Sequence, residues 1–448
     1  MKTLFKAFQG LPTLSALVAL LWLATLAAQA EDYTYITNND TICITKYIGP
    51  GGDVSIPETI TGLPVTTIAS YAFAGCTNLT SITISQNVTN YFGDAFFYCT
   101  GLAAIYAHPL NPVFTSVAGV MFNKTKTVLV QYPMGRAGNY AIPDTVTAIG
   151  YTAFYSCSGL TDVTLPHGLT SIEDGAFEAC PALTNLAVPG TVTNIGWNAF
   201  AGCTNLATIT LPENMLALGG WAFYNCRRLT SVTIPEGVPA IEERTFYSCS
   251  SLTNVVIPQS AALIGEWAFY QCFALSSVTI PDPVTVIGRD AFCFCTNLET
   301  IIVGHGLQDL GEFAFAWCPR LTKIYFGGNR PGYNNPFLDD RDHPETRIYI
   351  LPGTTWSGWS IWWGRPFAYW YLPNPEILDF APTFDVHTNR FGFTISWATN
   401  ASVVVEASTN LADSSWLPVS TNNLAYVWYF TDPDWTNYPA RFYRVRSP

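Results

Sequence analysis

The chain has 448 residues, 49% of them hydrophobic and 12% charged, and a formal net charge of −12. That length admits several domains or one long repeat array. Acidity without a basic cluster argues against nucleic acid and against anionic lipid as partners.

The first element reads as a leader. Lys2 and Lys6 precede an apolar run from Leu14 to Ala28, and Ala28-Gln29-Ala30 ends it before Glu31 and Asp32. A basic start, a short apolar core and a small-x-small site predict a secretory signal peptide over 1–30, cleaved after Ala30, and a secreted or cell-surface protein. An uncleaved anchor is the alternative, but the run is short for a membrane span. No second run of spanning length follows, so no transmembrane segment is expected after cleavage. Losing Lys2 and Lys6 takes the net charge from −12 to −14.

From residue 31 to residue 326 the chain is periodic. Cys76, Cys99, Cys157, Cys180, Cys203, Cys226, Cys249, Cys272, Cys295 and Cys318 are spaced by 23 residues, except for a gap of 58 between Cys99 and Cys157. Phe stands three residues before every one of them, as at Phe223, and Leu three residues after, as at Leu229. A fixed period of this length marks a solenoid, in which one unit cannot bury its apolar face alone and stacks on its neighbours. The alternating run at Leu229–Ile234 predicts a short strand. Upstream, the spacing of Ile195, Ala199, Phe200 and Cys203 predicts a short helical or irregular segment. Together they predict an α/β solenoid, a leucine-rich repeat of 23-residue coils with a parallel concave sheet of strands ~4.8 Å apart. In the long gap, residues about 108–140 predict an irregular coil with a hairpin turning at Asn123–Lys126.

The recurring AF-x-x-C, then L-x-x-V-x-IP, then V-x-x-IG resembles the BspA-like class of bacterial leucine-rich repeats, over roughly Tyr33 to Leu372. That resemblance implies attachment to host or matrix proteins, although nothing in the chain identifies a host. An irregular coil in mid-array is also a habit of that class.

Twelve cysteines in a secreted chain invite a disulfide reading. Ten in one register between Phe and Leu read instead as a buried column of small hydrophobes. Equivalent side chains pointing in parallel fit disulfide geometry poorly. Cys43 and Cys293 stand outside the column. No C-x2-C pair occurs, so neither a metal nor a cofactor is expected.

Strand positions four, five and seven residues after each Cys face outward in this register. The ligand-binding candidates on that face are Tyr106, Asp162, Thr164, Asn185, Thr210, Thr233, Asn254, Thr279, Lys323 and Tyr325. Tyr106 and Tyr325 are the expected anchors, since Tyr offers large contact area at small entropic cost. The plainer reading is that Thr fills strands by propensity and pairs well across them.

Residues 327–373 are expected to form a Trp-rich cap, with Trp356, Trp359, Trp362, Trp363 and Trp370 close together. A solenoid end needs covering, and similar LPGTT…GRP…W segments end other members of the class. The alternative is glycan stacking by Trp356, Trp359, Trp362 and Trp363. Asp339, Asp340 and Asp342 lack the spacing of a calcium loop and read as a solvated turn. Residues 374–448 hold short alternating runs between turns, which predicts a small all-β, sandwich-like domain. Arg441, Arg444 and Arg446 alternate on one of its strands and read as a solvated face.

No HExxH or G-x-S-x-G motif is present. Adjacent Glu242 and Glu243 would need a cleft that solenoids rarely supply. The expectation is a non-enzymatic recognition or adhesion protein, binding an extracellular protein or polysaccharide through the solenoid face. The alternatives are a glycan-binding accessory protein using the Trp cluster, and a structural surface or spacer protein without a ligand.

Overall fold

The computed structural model describes residues 31–332 throughout. Beyond them it describes 336–337, 345–351, 354–356, 361–362, 365–370, 376–378, 384–387, 390–396, 401–409, 416–424, 427–437 and 441–446. The expected leader (1–30) and the acidic group Asp339, Asp340 and Asp342 lie outside the described residues. The chain forms two compact units, residues 1–183 and 184–448.

The first unit opens on an antiparallel pair, Tyr33–Asn38 with Thr41–Tyr47, turning through left-handed Asn39 and Asp40. Thr41–Tyr47 then pairs in parallel with Leu63–Ile68. Tyr33 and Tyr47 sit over Phe73, and Tyr47 stacks on it at 5.1 Å, so two aromatic rings close this end of the Phe column. Gly52–Ser55, Leu79–Ile84 and Ala104–Ala107 form a parallel ladder, with Ile82 opposite Val54 and Ile105. Gly138–Ala141 pairs the same way with Leu160–Thr164.

The irregular coil is a three-stranded antiparallel meander of Phe114–Val117, Val120–Asn123 and Val128–Gln131. Its first turn, Ala118–Gly119, has φ of 49° and 77°, which suits a two-residue hairpin. Its second turn lies where the sequence places one. There the Asn123 Oδ1 accepts the amides of Thr127 (2.8 Å) and Val128 (3.0 Å). Tyr132 fills the place of the missing Phe, with its ring 5.0 Å from Phe154.

In the second unit the parallel strands form three ladders rather than one uninterrupted sheet. Asn185–Ala187 pairs with Thr208–Thr210, and Ser231–Thr233 with Asn254–Val256. The third ladder runs through Ser277–Ile280, Thr300–Val303, Lys323–Phe326, Arg347–Ile350 and Arg365–Tyr369. Three-residue strands make few bonds each. Across the first break a longer bond, Thr230 N–H to Ala207 O at 3.3 Å, carries the backbone on.

The expected helical segment is a chain of turns, and the coils at 53–326 contain no α-helix. Where that segment begins, two-residue strands such as Ala240–Ile241, Leu263–Ile264, Val286–Ile287 and Asp309–Leu310 form a second parallel ladder. Alternate amides then bond to the next coil, while those between them, such as Tyr224 and Cys226, bond back to Trp221 O and Phe223 O of their own turn. Trp221, Phe223 and Asn225 donate to Glu243 O, Thr245 O and Tyr247 O at 2.9, 2.9 and 2.7 Å. Left-handed residues aim them there, since Trp221 has φ 58° and Asn225 φ 60°, and Arg244 and Ser248 repeat the pattern one coil on. Every buried backbone donor must be answered, and here the neighbouring coil answers.

The interior repeats with the period. Phe200, Phe223, Phe246, Phe269 and Phe292 stack face to face with centroids 5.1–5.5 Å apart. That spacing follows the strand separation of ~4.8 Å. The C-terminal residues form two antiparallel sheets. Arg390–Ser396 is flanked by Glu376–Leu378, Phe384–His387 and Val427–Asp432. Ala401–Ser408 lies between Leu417–Leu424 and Phe442–Arg446. Phe393, Ile395 and Phe430 from the first sheet meet Val403 and Val405 from the second in one core, as a sandwich requires.

The expectation of a solvated arginine face holds for Arg444 and Arg446, which are about half exposed, and fails for Arg441, which is 13% exposed. Arg444 and Arg446 both clamp buried Glu406, at 2.7 and 2.8 Å, and Arg441 reaches Asp432 at 3.1 Å. A buried carboxylate needs such partners.

Candidate functional site

Alternation along each short strand sends the residues six and eight after Cys inward and those four, five and seven after it outward. Asp162, Thr164, Asn185, Thr210, Thr233, Asn254, Thr279 and Lys323 are all exposed, as their register predicts. Tyr106 is 48% exposed. The ladders line these residues up in rungs. Asn185 stands opposite Thr208, and its Oδ1 accepts the Thr208 hydroxyl at 2.6 Å. Thr233 stands opposite Val256, and Thr279 opposite Ile302. The face is small, nearly uncharged and partly satisfied by its own hydroxyl and amide pairs.

Tyr325 differs from its expected role as a lone anchor. It is half-buried, stacked on Tyr349 at 4.6 Å and flanked by Trp370 at 5.0 Å. Tyr349 escaped the sequence reading, although its strand Arg347–Ile350 repeats the pattern of Lys323–Phe326, which was a usable signal.

Trp356 cannot stack on a glycan. It is fully buried, its Nε1 donates to Gly328 O at 3.0 Å, and Phe326 and Phe367 pack against its ring at 5.0 and 5.3 Å. Its place is the interior of the end segment, because the indole is the largest apolar group available to cover Phe326. Trp359 and Trp363 lie outside the described residues, as does the side chain of Trp362.

The turn side of the second unit carries chemistry the sequence reading passed over. Arg244 lies between Trp221 and Trp267, with its guanidinium carbon 4.4 and 4.1 Å from the two ring centres, and it pairs with Glu243. Tyr224, Tyr247 and Tyr270 stack beside it at 4.9 and 4.7 Å. These residues occupy equivalent places in successive coils, so a 23-residue alignment of Trp221, Arg244 and Trp267 was the missed signal. Both faces of the guanidinium are already covered, and its side chain is 25% exposed, which makes this ladder a packed element.

Two openings accompany these surfaces. In the first unit a cleft of about 430 Å3 is lined by Tyr91, Phe92, Asp94, Val128, Val130 and Tyr151. The Tyr91 hydroxyl donates to Gln131 Oε1 at 2.6 Å, and burial pushes its ionisation well up, so it stays neutral. In the second unit an open groove of about 210 Å3 lies beside Trp370.

All the cysteines but Cys43 and Cys76 are buried. The thiols of Cys226, Cys249 and Cys272 donate to the Phe carbonyl of the preceding coil, at 3.2, 3.1 and 3.3 Å. Burial pushes the thiols up, Cys99 to about 12 and Cys180, Cys226, Cys249, Cys272 and Cys295 in the same direction. A thiol held protonated is a poor nucleophile and metal ligand. Among the described residues no disulfide is formed and no group of His, Cys, Asp and Glu could hold a metal ion. No helix among them is long and apolar enough to cross a membrane.

Residues 53–140, 134–239 and 217–332 match the sequence family described as the BspA type leucine rich repeat region (6 copies), more than half of the chain. Among solved structures the chain is similar to a leucine rich cell surface protein from Faecalibacterium prausnitzii A2-165 (27% identity, TM-score 0.41, 67% of this chain and 94% of that one). It is also similar to leucine-rich repeat proteins from Eubacterium ventriosum ATCC 27560 (23%, 0.42, 57% and 90%) and Bacteroides ovatus ATCC 8483 (24%, 0.34, 71% and 98%). A comparison with curated proteins finds no match.

Proposed function

The chain belongs to the BspA type leucine-rich repeat family, and from that premise we propose that it is a secreted or surface-exposed, non-catalytic recognition protein. Leucine-rich repeat proteins are generally non-enzymatic and bind proteins. On this reading the partner is an extracellular protein, and it sits on the outward strand rows of the coils.

The observation that carries the reading is the chemistry of those rows. Thr210, Thr233, Asn254 and Thr279 are exposed on strands whose opposite faces are fully packed. A short side chain on a rigid strand loses little freedom when covered, so a broad partner can dock without ordering long, flexible groups. Tyr106 supplies the large amphipathic contact that interface hot spots favour. Nine of the ten thiols of the column are buried, away from that face.

A matrix-protein array probed with the full chain tests this. A protein bound on the first unit should lose about tenfold affinity with Tyr106→Ala, and one bound on the second unit with Thr233→Arg. Unchanged affinity in both would remove the strand rows as the contact surface.

A further inference from the structure

Along the third ladder of the second unit, the outward row turns from hydroxyl to ring. Thr279 is followed by Ile302, Tyr325 and Tyr349, each opposite the next in parallel register. Tyr325 and Tyr349 stack with their planes 19° apart. Trp370 is held by its own backbone, whose N–H donates to Ile350 O at 2.8 Å, and its ring lies tilted at 54° against Tyr325. Trp370 does not simply complete this stack. It also walls the groove of about 210 Å3 whose lining includes Gln259, Thr279, Asp282, Ile302 and His305.

The polar side chains in the groove are a carboxylate, a hydroxyl, an amide and an imidazole, from Asp282, Thr279, Gln259 and His305. Asp282 Oδ1 accepts the His305 backbone N–H at 2.9 Å, which fixes the carboxylate, while its side chain stays 62% exposed. A carboxylate has several lone-pair sites, so it can still accept from a ligand hydroxyl. Thr279 and Gln259 are exposed and offer both donors and acceptors. A partly exposed indole beside a fixed carboxylate, a hydroxyl and an amide matches a sugar ring, which has a C–H face and a rim of hydroxyls. The aromatic face carries the negative end of its quadrupole and attracts the C–H face. The Asp282 carboxylate, which the His305 ring nitrogen faces at 3.8 Å, disfavours a uronate or a sialate, so a neutral ring fits best. The volume is below the about 300–1,000 Å3 of drug-sized pockets and suits one ring rather than a whole oligosaccharide.

We propose that this groove is a carbohydrate subsite seating one neutral pyranose of a polysaccharide against Trp370, with its hydroxyls on Asp282 and Thr279. The rest of the glycan leaves over the open row of exposed strand residues. This is a second binding function that shares Thr279 and its strand row with the protein-binding reading above, but it does not rest on that reading, and failure of any protein partner leaves it standing.

The test is titration of the full chain with maltohexaose, cellohexaose, laminarihexaose and mannohexaose, followed by tryptophan fluorescence and calorimetry. At least one hexaose should bind saturably, with a Kd between about 10 μM and about 1 mM. Trp370→Ala should weaken that binding by at least about tenfold at unchanged thermal stability. Thr279→Arg fills the groove from an exposed strand position without touching the core, and should do the same even if Trp370→Ala folds poorly. No binding of any hexaose at about 10 mM, or full binding retained by Thr279→Arg, overturns the proposal.

Discussion

The coils and the C-terminal sheets keep polar groups inside by opposite means. In the coils the repeated interior donor is a neutral thiol, one per rung, bonded to a Phe carbonyl of the coil before it. In the C-terminal sheets the interior groups are carboxylates, Glu406 and Asp432, each answered by arginine. The difference follows from repetition. A carboxylate copied into every coil would meet its own image about 5 Å away, at a cost of about 3 kcal/mol per pair with an effective dielectric of 20. A thiol can be copied without repulsion while it stays protonated. A domain that occurs once has no image to meet and can use a charge.

The contrast predicts opposite responses to pH, and the alkaline one is the largest. Burial raises the thiols of Cys99, Cys180, Cys226, Cys249, Cys272 and Cys295 above the ordinary 9.0. Above pH 9 the unfolded chain releases these protons and the folded chain holds them, so the unfolded state binds fewer and stability falls as pH rises. The stabilisation is fully present below 9 and, for Cys99, is lost on the way to about 12. Each thiol costs about 1.4 kcal/mol per pH unit in that window. Hydrogen exchange by mass spectrometry between pH 8 and pH 10.5 should show the coils opening well before the C-terminal sheets. Equal loss in both regions would break the comparison.

Next in size is the column beside the thiols. Phe223 is fully buried and stacked on both sides, by Phe200 at 5.5 Å and Phe246 at 5.4 Å. Phe223→Ala should cost about 3–5 kcal/mol in chemical denaturation, because close neighbours on both sides limit collapse of the cavity. An unchanged midpoint would place Phe223 outside the core.

The inward register was legible because it depends only on side-chain type at a fixed period. Phe223, Cys226, Leu229, Val232 and Ile234 all face inward as their spacing predicts. The turn segment was not legible. Its shape rests on left-handed residues, and at Trp221, Arg244 and Trp267 nothing but position says so, since Gly is the usual signal. Its second ladder is two residues long, too short for any alternation to register. The candidate sites were harder still. Trp356 and Trp370 lie in one aromatic-rich stretch, yet one is buried against Phe326 and the other walls a groove. Which is which depends on how the chain returns to the ladder after Arg347–Ile350, and composition carries no trace of that path.

A smaller effect sharpens the account of the thiol itself. If Cys226 served only as filler, Ala would cost little more than the lost sulfur volume. Because its Sγ donates to Phe200 O at 3.2 Å, Cys226→Ala should cost about 1–2 kcal/mol. The loss stays moderate because the same carbonyl keeps the Cys203 N–H at 3.1 Å. The variant should also flatten the alkaline slope of its own rung, which Cys226→Val, with no titrating proton either, would match. Should Cys226→Ala leave the alkaline profile untouched, the thiols are not what titrates.

The last effect lies on the other side of the comparison and has the opposite sign. Hydrogen bonds from Arg446 and Arg444 hold the Glu406 carboxyl below its ordinary value of 4.5. Its contribution is therefore fully present above 4.5 and is lost as pH falls through the depressed value, because the unfolded chain takes up the proton first. Protection against exchange in Ala401–Ser408 and Phe442–Arg446, relative to the intrinsic rate at each pH, should fall as the pH is lowered from 5 toward 3, while protection in the coils at 185–326 changes less. Glu406→Gln keeps the shape but removes the charge. It should lower protection in those two strands at pH 7 and abolish its dependence on pH below 5. If the wild-type strands hold equally well at pH 3 and pH 7, the arginine clamp is a surface ornament, and the two regions do not differ in the way their interiors suggest.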